Sequence, residues 1–104
     1  MLGDGDFPND KVIGGTDTGE MDADPMGVGS AHGTACAGNA AGDIGENGDY
    51  IGGVAPGAKL YALKASPDYA GFFYNDALLD AWDWCLTHRN DDEDNPLMVI
   101  SNSW

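Results

Sequence analysis

From Ala31 to Ala41 the chain reads Ala-His-Gly-Thr-Ala-Cys-Ala-Gly-Asn-Ala-Ala, and no other run restricts the fold as much. Its alanines favour a helix, but none of its side chains is bulky. Such a helix gains burial by laying its backbone close to a neighbour, which suits packing on a sheet. Gly42 marks its stop.

The flanking segments supply strands for that sheet. Lys11-Val12-Ile13 reads as a short strand closed by Gly14-Gly15, with loop on either side up to residue 31. Residues 42–53 form a Gly- and Asp-rich loop. Val54-Ala55-Pro56-Gly57 is a turn into a second strand, Lys59 to Lys64. A loop over 65–74 follows, with Phe72, Phe73 and Tyr74 in it. Asn75 is a good N-cap for a helix running to about His88. Leu78, Leu79, Trp82 and Leu86 recur at spacings of three and four, which predicts one buried stripe. Trp84, Asp76, Asp80 and Asp83 mark the other face. Asn90 to Asn95 is a charged turn, and Leu97-Met98-Val99-Ile100 reads as a buried strand because it is continuously apolar. The order strand, helix, strand, helix, strand favours an α/β fold, a parallel β-sheet flanked by helices. No internal repeat is visible.

Charge and length narrow the function. The 104 residues suit one small domain or a piece of a larger one. Eighteen acids against four basic residues give a formal charge of −14. Lys11, Lys59, Lys64 and Arg89 are scattered, so no basic patch exists for nucleic acid or anionic lipid. No run approaches the ~20 apolar residues of a membrane span, and Met1 to Asp10 is not a signal peptide. Fifteen of the acids are Asp. That excess is read three ways: surface solubility, a high-salt surface, or calcium-loaded loops. Cys36 and Cys85 are too few for a disulfide scaffold.

The chemistry-bearing residue is His32, at the start of the small-residue helix. Gly33 removes bulk beside the imidazole. The positive end of the helix dipole favours the neutral ring that a general base must be. His32-Gly33-Thr34 with Ala37-Gly38 resembles the HGTxxAG histidine motif of the subtilase family of serine proteases. Gly53-Val54-Ala55-Pro56, then Ala58 and Leu60-Tyr61-Ala62-Leu63-Lys64, is similar to that family's GVAPxAxLYAxKV segment. Val99-Ile100-Ser101-Asn102-Ser103-Trp104 looks like its VIxxSxG strand, cut before the Gly. Lys11 to Gly15, followed by Asp22-Ala23-Asp24-Pro25, resembles the stretch that some subtilases place before the histidine. The matches keep the family's order and span roughly residues 11–104.

The resemblance implies a three-layer subtilisin-like fold, incomplete at both ends, and a Ser-His-Asp triad with the chain order Asp, His, Ser. Only His32 carries over, as the catalytic base. Asp17-Thr18-Gly19 imitates the family's Asp motif, but Asp17 lies only fifteen residues before His32, where the family spacing is about thirty. Gly14-Gly15-Thr16 also reads as a poor strand to hold a buried carboxylate. The triad Asp is therefore expected before Met1 and the nucleophile beyond Trp104. The whole chain, 1–104, is then a partial catalytic domain that cleaves no peptide alone. By the same resemblance Ser101, Asn102 and Ser103 are substrate-binding, with ordinary strand-end residues as the alternative. A polypeptide substrate and secretion are likewise implied.

Other candidates stay open. Asp43, Glu46, Asn47 and Asp49 concentrate oxygen donors where many subtilases hold calcium; a solvated loop is the other reading. Cys36 shares a helix face with His32. A metal pair there lacks further ligands, which leaves a small buried thiol. Asp4, Asp6 and Asp10 are spoiled as an EF-hand by Pro8. Gly27-x-Gly29 has no apolar strand before it and is no dinucleotide fingerprint. The alternative to a protease fragment is a non-catalytic, acidic calcium-binding or interaction module on a subtilase-like scaffold.

Overall fold

The computed structural model describes residues 7–23, 25, 31–46, 48–67 and 75–103. Four elements follow one another: β1 (Val12–Asp17), α1 (His32–Ala41), β2 (Leu60–Lys64) and α2 (Asn75–His88). β1 and β2 pair in parallel, from Val12 opposite Leu60 to Asp17 opposite Lys64. A parallel pair needs a long crossover between its strands, and α1 lies in it. The parallel pair and two helices form an incomplete α/β arrangement of the expected class.

β1 does not stop at Gly14-Gly15, as the sequence suggested, but runs through both glycines to Asp17. The glycines are used inside the strand. The register shifts between Val12 and Gly14. Gly15 has φ +145°, and a Cβ there would collide with the Ala62 carbonyl oxygen. Glycine thus lets the two backbones meet at an irregular point of the ladder. The strand end is closed by a tight turn. Asp17 and Asp22 exchange two backbone hydrogen bonds of 3.0 Å, and the Thr16 hydroxyl donates to the Asp22 carbonyl at 2.9 Å.

α2 spans the expected residues but buries a different stripe. Ala77, Ala81 and Cys85 are its buried residues, whereas Leu79, Trp82 and Leu86 are exposed. Trp84, assigned to the outer face from sequence, is half-buried; its ring lies 6.1 Å from that of Tyr61 and stacks on His88 at 4.2 Å. The reversal has a steric reason. The Thr18 hydroxyl reaches the Ala77 carbonyl at 2.6 Å, and only a small-residue face permits so close an approach.

Leu97 to Ile100 is not a paired strand. Among the described residues its backbone has one hydrogen bond, from Leu97 N–H to the Arg89 carbonyl at 2.9 Å. Met98, Val99 and Ile100 are all exposed. An apolar run is buried only when neighbours cover it, and among the described residues the sheet has two strands.

Candidate active site

α1 is anchored at its C-terminal end. A helix leaves its last four carbonyls without intrahelical donors. Here the Gly53-Val54-Ala55 turn supplies donors to two of them and to the cap residue Gly42. Val54 N–H donates to the Asn39 carbonyl at 3.0 Å, Ala55 N–H to that of Ala40 at 2.8 Å, and Gly53 N–H to that of Gly42 at 3.0 Å. The Tyr50 hydroxyl adds a bond to the Gly38 carbonyl at 3.0 Å. A Cβ on Gly53 would strike the backbone of Ala41 and Gly42. The histidine motif and the GVAP motif are therefore one physical unit, a helix and the turn that caps it.

The turn is fastened to β1 in its own right. Lys11 Nζ donates to the carbonyls of Pro56 and Ala58 at 2.7 and 2.8 Å. It also pairs with the exposed Asp43 carboxylate at 3.0 Å.

His32 opens α1 and is exposed. Ala31 sits at the cap position with no side-chain hydrogen bond, and the first turn holds no acid. The imidazole Nε2 lies 3.8 Å from the Cys36 sulfur, one turn along. Cys36 is half-buried rather than buried. The buried thiol is Cys85, whose burial pushes its pKa up.

Ser101, Asn102 and Ser103 are exposed. Asn102 is held by α2, because the Trp82 indole N–H donates to its side-chain oxygen at 3.0 Å. Sequence reasoning missed this bond, having assigned Trp82 to the core.

Asp17 corrects one step of the sequence argument. The Gly-Gly-Thr strand does hold a buried carboxylate, with 2% of the residue exposed. Its partner is Lys64, at the facing register position, with Nζ 2.7 Å from Oδ2. Oδ1 accepts the Glu20 N–H at 3.0 Å. Oδ2 thereby joins the ends of β1 and β2, while Oδ1 holds the turn that follows β1.

Among the described residues one group of three acids has the spacing of a metal site: Asp17, Glu20 and Asp22, with oxygens within 4.8 Å of one another. The donor set does not suit a cation, because the Lys64 ammonium already occupies Asp17. In the loop expected to hold calcium, Asp43 is paired with Lys11, Glu46 and Asp49 are exposed, and Asn47 lies outside the described residues. Asp4, Asp6, Gly27 and Gly29 lie outside them too.

The Tyr61 hydroxyl donates to the Asn95 carbonyl at 3.0 Å. Burial first, then the charges of Asp92 and Asp91, raises its pKa and keeps that proton in place. The bond fixes the turn that leads into Leu97. No helix among the described residues is long and apolar enough to cross a membrane.

Comparison with curated proteins and with solved structures returned no match. A family comparison did. The model of the subtilase family, peptidase S8, matches residues 6–104. That span includes the histidine helix, its capping turn, both strands and the segment through Ser103, and the chain belongs to the subtilase family of serine endopeptidases.

Proposed function

We propose that these 104 residues are the histidine-bearing part of a subtilisin-like catalytic domain whose aspartate and serine segments lie outside them. His32 is the general base. It takes the proton of the serine hydroxyl as that oxygen attacks the peptide carbonyl, then returns the proton to the leaving amine. The observation that carries this reading is the placement of His32. Its ring sits at the exposed N-terminal end of a helix whose other end is fixed by the Gly53–Ala55 turn. Ser101, Asn102 and Ser103 form the stretch along which a polypeptide substrate lies. Secretion belongs to the same proposal, on family grounds. So does a structural calcium ion in the Asp43–Asp49 loop, which calorimetric titration with Ca²⁺ would detect.

The test uses two proteins. The 104-residue chain alone should not hydrolyse a chromogenic peptide, since a triad missing two members retains little chemistry. The chain extended by the flanking sequence of its gene should do so, and His32→Ala should abolish the activity. Hydrolysis by the short chain that His32→Ala removes would overturn the placement of the missing triad members. Flanks without an Asp motif upstream and a Ser motif downstream would overturn the protease reading.

A further inference from the structure

Segment 97–103 is held by few bonds. Among the described residues two hydrogen bonds reach it: Leu97 N–H to the Arg89 carbonyl at its start, and Trp82 Nε1–H to Asn102 Oδ1 near its end. The five residues from Met98 to Asn102 therefore have a single fastening, and it comes from α2. Indole is a donor only, so the bond also fixes which way the Asn102 amide is turned. Ser101 and Ser103 are the chain neighbours of the fastened Asn102, so loss of the bond removes the one described contact that holds this end of the segment.

We infer that Trp82 is a positioning residue: through Asn102 it holds Ser101 and Ser103 in place. The effect on catalysis rests on the reading of this stretch as substrate-binding. The effect on the segment itself does not. Trp82 touches neither substrate nor His32 in this scheme. Its exposure accords with that, since a ring needed only for packing would be covered, and Trp82 is 38% exposed.

The test has a structural and a kinetic arm. In the 104-residue chain, Trp82→Phe keeps an aromatic ring and deletes the N–H. It should shift the amide resonances of Ser101 and Ser103 and lower their heteronuclear NOEs, while Ala77, Ala81 and Cys85 keep theirs. Asn102→Leu should do the same, and the double variant should add nothing. Asn102→Asp retains an acceptor oxygen and should preserve the order. Unchanged Ser101 and Ser103 signals in Trp82→Phe, or additive effects in the double variant, would overturn the tether. In the chain extended by its flanks, Trp82→Phe should raise KM for peptides by about three- to tenfold, the scale of one hydrogen bond, with kcat nearly constant. An unchanged KM in an active enzyme would overturn the catalytic consequence. An inactive parent enzyme would instead defeat the protease reading, and the resonance arm would still decide the tether.

Discussion

Replacing Lys64 by Met tests the joint between the strands. The Asp17 side chain is 1% exposed and that of Lys64 12%, with 2.7 Å between the charged atoms. At an effective dielectric constant of about 20, the gross attraction at this distance is roughly 6 kcal/mol. Desolvation of both ions offsets most of it, so the net value of the pair is small. Deleting one partner is different, because the buried carboxylate then keeps its desolvation cost with only the Glu20 N–H for company. The expected loss for Lys64→Met is about 3–5 kcal/mol. A domain of this size holds only about 5–15 kcal/mol in total. Asp17→Asn combined with Lys64→Met removes the orphaned charge and should recover part of that loss, although a second native residue has gone. Urea unfolding followed by far-UV circular dichroism at pH 7 measures both. A double variant no more stable than Lys64→Met, or a single variant within about 1 kcal/mol of the parent, would refute the reasoning.

Gly15→Ala should cost about 2 kcal/mol or more, because it adds a strained φ to a collision with the Ala62 carbonyl; an unchanged urea midpoint would contradict that. The two thiols should separate in reactivity. Cys36 is half-buried, whereas Cys85 is buried and its thiol pushed up. A disulfide reagent at pH 8 should modify Cys85 more slowly by on the order of tenfold, Cys36→Ser should remove the fast phase, and equal rates in the native chain would count against the fold around α2.

The parts legible in the sequence were those fixed by local rules. α1 begins at His32, one residue from the expected start, and ends at Ala41 before Gly42, because alanine-rich helices and glycine stops are local signals. β2 and α2 also fall where strand composition and the Asn75 start place them. The errors arose where burial depends on what lies opposite. The Leu79, Trp82 and Leu86 stripe has the right period, but α2 approaches Thr18 through Ala77, and small residues carry no weight in a count of large apolar ones. Gly14-Gly15 looked like an end and is an irregular crossing point, since a glycine pair signals both. Asp17 looked exposed for lack of a strand to bury it; the cue was Lys64, which closes β2 as Asp17 closes β1. The site divided similarly. The motif singled out His32, which opens α1, while the Trp82–Asn102 bond joins residues twenty apart whose types announce nothing.

The capping of α1 bears directly on its histidine. α1 runs ten residues, from His32 to a C-terminal end stitched to Gly53, Val54 and Ala55. At about 1.5 Å per residue the lever from Ala41 to His32 is roughly 13 Å, so a tilt of about 5° at the capped end moves the first turn by about 1 Å. A displacement of about 1 Å can cost a catalytic group on the order of a hundredfold. The turn at the far end of the helix thus bears on the direction in which His32 points. The Lys11 ammonium holds that turn through the Pro56 and Ala58 carbonyls, and so ties the helix to β1. With His32 as the general base proposed above, the GVAP segment, which contributes no reacting atom, serves to aim the imidazole.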